Sequence, residues 1–347
     1  MTKAKTFAKR TNTDEPKPVV WDLYRDGVTQ GFIETFLTCR HHAFMKYVLG
    51  WKPRDMGTAI EFGLAFHDMA DLIVTKRIKP ALAKEKYVKH RMAQMPTDPA
   101  SVEACACQAL AVIQPYFAWW AEHDKKYTFL SREEEFCVPY NVKYDYQYNL
   151  RGKFDGVIEI KDGKKIHLGL YECKTKGRID EQGIEETLQF DVQTLLYLLA
   201  IRLKYGRTPT RLIYDVIRQP QLRQGKEETL QNYCSRISHD VENRPEEYFY
   251  RWNETITTET VDKWCREFLD KVIHQINLWF LDTTDDIDGV LYPQADPFRS
   301  NYHYRNSKAL LGLFGGRKSE YFAAMTRGDY SGLYRSANPY PELSPSK

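Results

Sequence analysis

Apolar residues recur at helical spacing through the first third of the chain, then alternate or run together beyond about Thr128. From Thr29 to Leu49, "TQGFIETFLTCRHHAFMKYVL", residues Phe32, Phe36, Phe44, Tyr47 and Val48 mark a helical face, which a Gly–Trp–Lys–Pro turn stops at Gly50–Pro53. A second helix is predicted over Thr58–Thr75. A third, near Ser101–Lys126, is amphipathic and aromatic, with Pro115 as an expected kink.

The segments "REEEFCVPY", "YDYQYNLRG", "KFDGVIEI" and "KKIHLGLYECK" read as strands, with Asp–Gly at Lys161–Lys164 as a hairpin turn. A long helix over Gly183–Tyr205 and a strand at Arg211–Arg218 follow. Beyond Gln219 come charged helices, notably near Thr258–Phe280, and a Tyr-, Ser- and Gly-rich tail from Leu291. The order predicts an α/β (α+β) protein in four parts. These are a flexible arm (1–19), a helical region (20–127), a core built on a central mixed sheet flanked by helices (128–220), and a C-terminal helical extension (221–347).

Composition changes this picture little. The 347 residues carry 50 basic and 47 acidic side chains, a net charge of +3, so a nucleic-acid partner would have to meet a local basic surface. No apolar run is long enough to cross a bilayer, and "MTKAKTFAKRTNTDEPKP" lacks a signal-peptide core. This predicts a cytoplasmic protein, in the host cytoplasm if the gene belongs to a phage. The seven cysteines are scattered without a CxxC pair, and free buried thiols are expected.

The chemistry centres on "YECKTKG". Leu168, Leu170, Glu172 and Lys174 share one strand face, with Glu172 and Lys174 roughly 7 Å apart at their Cα atoms. On "KFDGVIEI", alternation sets Asp155, Val157 and Glu159 opposite Phe154, Gly156, Ile158 and Ile160. Pairing through the 161–164 turn brings Asp155 beside Glu172. Two adjacent buried carboxylates repel, and a divalent cation removes that cost. Lys174 could then orient a water or stabilise charge on a phosphate. On this reading the Glu–x–Lys pattern is a metal site rather than a structural ion pair, although E-x-K is common in ordinary strands.

In the following helix, Leu188, Val192, Leu195, Leu199 and Leu203 make a core stripe, and Gln189, Gln193 and Tyr197 a polar line beside it. A half-solvated flank would explain that line equally well. His67, taken alone, is an ordinary histidine on an amphipathic helix.

Taken in order, "RGKFDGVIE", "YECK" and "QTLLY" resemble the RecB-like branch of the PD-(D/E)XK nucleases, whose pattern is G-x-x-D, E-x-K and Q-x-x-x-Y. "GLAFH" resembles that family's upstream histidine helix, and "TQGFIETFLTCRHHAFMKYVLGW" its opening helix. The resemblance spans roughly residues 28–220, and "YDVIRQPQLR" and "RPEEYFYR" extend it toward nucleases common in phage genomes. It implies a restriction-endonuclease-like core and a metal-dependent deoxyribonuclease, most simply an exonuclease of recombination, repair or phage replication. By analogy, His67, Asp155, Glu172 and the backbone carbonyl of Cys173 would hold one or two Mg²⁺ or Mn²⁺ ions. Lys174 would align the attacking water, while Gln193 and Tyr197 steady the site and the DNA. Gln30, Glu34, Glu133 and Glu135 are second-tier candidates.

Many RecB-like nucleases carry an iron–sulfur cluster on one early and three late cysteines. Cys39 occupies the early place, but no cysteine follows Cys265, so no cluster is expected. Late Arg and Tyr residues in "YPQADPFRSNYHYRNSKALLG" could instead touch phosphates or bases. Alternatives are a catalytically silent DNA-binding scaffold and a structure- or sequence-specific endonuclease of the same fold. No P-loop is present, so a helicase motor would come from a partner. A recombinase or single-strand-binding protein is a further candidate partner.

Overall fold

The structure, a computed structural model, describes residues 19–53, 57–94, 99–144, 146–285, 311–314, 317–327 and 329–344. Residues 1–18 of the predicted arm and most of the late Arg/Tyr segment lie outside the described residues.

The alternating segments form a long antiparallel meander of β3 (Tyr127–Val142), β4 (Tyr146–Asp162) and β5 (Lys165–Lys176). "YDYQYNLRG" and "KFDGVIEI" are a single strand. The Asp–Gly turn closes β4 onto β5, pairing Asp162 with Lys165, with Gly163 at φ +60° where a side chain would be strained. Parallel pairs lie at two places: β1 (Val28–Thr29) beside Leu150 and Arg151, and β6 (Arg211–Arg218) beside β5. β7 (Phe249–Thr255) runs antiparallel to β6, and β2 (Trp51–Pro53) and β8 (Leu333–Arg335) form a separate antiparallel pair. The sheet is therefore mixed, in the order β1-β4-β5-β6-β7 with β3 also on β4. β7 was not anticipated. Its short run sits within the segment read as charged helices.

Helices cover both faces. α1 (Leu23–Asp26), α2 (Gln30–Thr38) and α3 (Arg40–Ala43) lead into a π-helical turn, Phe44–Val48. The single helical stretch expected here is broken at Cys39, whose extended backbone lets its sulfur accept the His42 N–H. α4 (Thr58–Val74) follows the prediction to within a residue. α5 (Pro80–Gln94) was not anticipated, its apolar positions being interspersed with Lys84, Glu85, Lys86, Lys89 and Arg91, and α6 (Pro99–Asp124) holds Pro115 within it.

α7 (Glu181–Thr187) and a 3₁₀ turn, Leu188–Phe190, precede α8 (Val192–Tyr205). The predicted continuous helix is thus interrupted, because Asp191 caps a new one by accepting the Thr194 N–H. Two expectations fail as a result. Gln189 falls off the line of Gln193 and Tyr197 and bonds Glu254, and Leu203 is exposed rather than in the core stripe.

α9 (Leu230–Asn243), α10 (Thr258–Trp264) and α11 (Asp270–Asp285) complete the layers. α2, α8 and α11 pack Phe32, Ile33, Leu195, Leu199, Ile273 and Ile276 against one face of the sheet. α4, α5, α6 and α9 pack Phe62, Phe66, Tyr87, Ile113, Tyr116 and Ile237 on the other. β5 serves both cores, with Leu168 and Leu170 on the first and Tyr171 and Cys173 on the second.

The expectation of free thiols is corrected at one pair. Cys107 of α6 and Cys234 of α9 form a disulfide, because helix packing brings their Cα atoms to 6.1 Å. The other five cysteines form no disulfide. No described helix is long and apolar enough to cross a membrane.

Candidate active site

The site forms where β4 and β5 emerge between the two helical layers. Strict alternation fails there: Phe154 and Val157 both enter the core beneath α8, while Ile158 and Ile160 face the opposite core. The predicted faces of "KFDGVIEI" therefore hold from Gly156 onward but not at Phe154. The β3–β4 register pairs Arg132 with Gly156 and Glu134 with Phe154, so Glu133 falls opposite Asp155. Glu133 has φ +47°, a left-handed conformation rare outside glycine. The β4–β5 register ends at Gly156 opposite Tyr171, which places Glu172 on the other side of Asp155.

Asp155 is fixed from behind, its Oδ2 accepting the Cys173 N–H at 2.8 Å. Its Oδ1 lies 3.8 Å from His67 Nδ1, and His67 Nδ1 lies 3.8 Å from Glu133 Oε1. One donor atom from each of the three falls within 4.8 Å of the others, close enough to share one cation. Lys153 Nζ meets the outer oxygen of Glu133 at 2.6 Å.

Glu172 is 1% exposed. Its Oε1 accepts from Lys174 Nζ at 2.5 Å and Gln193 Nε2 at 2.6 Å. On sequence, the Glu–x–Lys pattern favours a metal site over a structural ion pair. In this structure Glu172 and Lys174 are an ion pair, because the strand period of two puts both side chains on one face. That leaves Glu172 Oε2 buried without a hydrogen-bond partner. An orphaned carboxylate oxygen beside the Asp155 group fits a cation, and the all-oxygen-plus-imidazole donor set fits a hard divalent ion.

The electrostatics agree. Burial and the Asp155 charge push the Glu172 carboxyl well above its usual range against the pull of Lys174, and burial also raises Asp155. Burial alone would favour neutral His67 and Lys174. The surrounding carboxylates, Asp155 for His67 and Glu172 for Lys174, outweigh it and raise both.

Two glycines allow this approach. A Cβ at Gly63 would stand 2.7 Å from Thr175 Oγ1, so α4 lies close against β5 and carries His67 one turn further on. A Cβ at Gly152 would meet Phe136 at 2.7 Å and Tyr197 at 3.1 Å. Tyr197 is buried, edge-on to Phe136 and Phe154.

Beneath the site, Asp215 of β6 receives both N–H groups of an Arg251 fork at 2.6 Å and the hydroxyls of Tyr116 and Tyr171. This buried network ties β5, β6, β7 and α6 together behind Cys173. It was not anticipated, since its members lie on four separate elements.

Among the sequence candidates, His67, Asp155, Cys173, Lys174, Gln193, Tyr197 and Glu133 line one cleft of about 410 Å³. Glu172 lies buried beside it. Gln30 also lines the cleft and bonds Glu34, whose carboxyl burial raises. Glu135 instead holds the C-terminal segment, accepting the Ser344 N–H and hydroxyl at 2.8 and 3.0 Å. That segment supplies Pro339, Tyr340, Glu342 and Leu343 as a wall of the cleft, which no sequence pattern indicated.

No curated protein matches the chain. A family model described as the PD-(D/E)XK nuclease superfamily matches residues 28–277, from β1 through most of α11. With its mixed, helix-flanked sheet of restriction-endonuclease-like form, the chain belongs to the PD-(D/E)XK nuclease superfamily of metal-dependent nucleases.

Proposed function

We propose that the protein is a Mg²⁺- or Mn²⁺-dependent DNA exonuclease of the RecB-like branch, acting in recombination, repair or phage replication. The observation that carries this reading is the convergence of His67, Glu133 and Asp155 beside a buried Glu172 whose second oxygen has no partner. His67, Asp155, Glu172 and the Cys173 carbonyl would hold one or two ions, with Glu133 as an added ligand. The ions would supply Lewis-acid stabilisation of charge on the phosphate.

The chain's own groups do the positioning. Lys174, kept protonated by Glu172, donates a hydrogen bond to the attacking water and faces the charge that develops on the phosphate. Gln193 holds Glu172 Oε1, and Tyr197 braces the site floor. The Gln-x-x-x-Tyr arrangement supports the RecB-like branch by resemblance. A recombinase or single-strand-binding protein is the partner expected for such an activity.

The test uses DNA labelled separately at its 5′ and 3′ ends, single- and double-stranded, in Mg²⁺, Mn²⁺ or EDTA, with Lys174→Ala alongside. Metal-dependent release of end label that the variant loses supports an exonuclease, and internal cuts first would favour an endonuclease. Binding without cutting under either metal would leave a nuclease-derived scaffold.

A further inference from the structure

Among the described residues, the cleft's cations are already spoken for, with one exception. Lys153 is paired with Glu133 at 2.6 Å and Lys174 with Glu172 at 2.5 Å. Arg151 is buried, donating to the Ser344 carbonyl at 2.6 Å. Lys46 lines the same cleft, yet no carboxylate among the described residues lies within ion-pair distance of its ammonium. Glu34 and Glu342 feel its charge only at longer range.

Lys46 is also held in place. It is the one half-buried residue of the π-helical turn Phe44–Val48, whose other four side chains enter the core. Its Nζ stands 4.8 Å over the Tyr47 ring. Tyr47 is fully buried and stacked between Phe32, at 4.7 Å, and Tyr340, at 5.2 Å. A fixed, unneutralised ammonium in a cleft otherwise balanced by internal pairs is suited to an anion brought by the substrate.

We propose that Lys46 binds a phosphate of the DNA strand next to the one being cut, and so positions the strand across the metal-binding carboxylates. This rests on the nuclease reading for the identity of the strand, but the contact itself is with the nucleic-acid backbone. It is a positioning contact. It acts on strand binding and carries no base information.

The probe is a fluorescein-labelled single-stranded oligonucleotide, its binding followed by anisotropy in EDTA over a range of salt concentrations. The variants are Lys46→Met, which keeps the apolar stem over Tyr47, and Lys46→Arg, which keeps the charge. Lys46→Met is expected to weaken binding roughly tenfold, the loss of one charge-assisted contact. The slope of log K against log salt should fall by about 0.7, one released counterion from a single strand. Lys46→Arg should restore both. In the cleavage assay, the Lys46→Met loss should fall on KM rather than kcat.

An unchanged salt slope in Lys46→Met, or a loss confined to kcat, would overturn the proposal. If the wild-type protein binds but never cuts, the nuclease reading fails while the salt slopes still decide Lys46. If it neither binds nor cuts, both readings fall.

Discussion

Gly63 of α4 and Thr175 of β5 are packed so closely that a methyl group on Gly63 would come within 2.7 Å of the threonine hydroxyl. His67 lies one helical turn further along, 3.8 Å from Asp155. The glycine therefore sets how near the imidazole comes to the carboxylates. Gly63→Ala should improve helix propensity by about 1 kcal/mol yet push α4 outward. Cleavage is expected to fall by roughly 10²-fold, the cost of a misplacement near 1 Å. Thr175→Ala in the same chain should recover most of it, and steady-state rates of the two single variants and the double variant measure the coupling.

The carboxylates oppose folding when no metal neutralises them. Burial raises Asp155, so its ionised form is disfavoured in the folded chain. Asp155→Asn should abolish cleavage while raising the metal-free melting temperature, because Asn can still accept the Cys173 N–H. A melting temperature that drops by several degrees would show that the carboxylate is stabilising instead.

Metal should reverse that balance. Adding Mg²⁺ or Mn²⁺ at about a hundred times its Kd should stabilise the wild-type protein by about 2.7 kcal/mol, seen as a rise in thermal midpoint. Glu133→Gln should need higher metal concentrations for the same rise, since Glu133 completes the donor set with His67 and Asp155. Equal metal titrations for variant and wild type would remove Glu133 from the site.

Gly152 faces Phe136 and Tyr197 with no space for a side chain. Gly152→Ala should overpack this floor at a cost of about 1–3 kcal/mol, with Tyr197 displaced and cleavage reduced. Urea midpoints read the first effect and rates at saturating DNA the second.

Part of the acid sensitivity should arise away from the site, at a carboxylate of α4. Glu61 of α4 is buried against Arg91 at 2.7 Å and accepts the Tyr87 hydroxyl at 2.6 Å. Burial would raise its carboxyl, but the bonds from Arg91 and Tyr87 outweigh it and hold it below its ordinary value. A depressed carboxyl stabilises the fold above its unfolded value of about 4.3, and that stability is lost as pH falls through the lower folded value. The wild-type melting temperature should therefore fall below about pH 4. Arg91→Met should cost about 3–5 kcal/mol at neutral pH, by leaving Glu61 buried and unpaired, and should flatten the acid limb.

Local patterns carried much of this protein. The meander was legible because strand alternation and an Asp–Gly turn are written within a few residues, and β6 matched its expected bounds for the same reason. Glu172 and Lys174 could be put on one face from the strand period alone, and four short motifs in order indicated the family. The helix interruptions at Cys39 and Asp191 were missed, because both sit inside continuous apolar periodicity and only the cap geometry reveals them.

What surrounds Asp155 was decided in three dimensions. Glu133 reaches it through cross-strand register and a left-handed backbone, and His67 through the contact of Gly63 with Thr175. The Asp215–Arg251 network and the C-terminal wall of the cleft join segments far apart in the chain. Periodicity describes one element at a time, whereas register, close approach and burial depend on which elements meet. The sequence alone therefore determined the strands from β3 to β6, the motifs and the chemistry they suggest. Only the tertiary structure decided which charges share the site and that Lys46 lines the cleft with no carboxylate within ion-pair distance among the described residues.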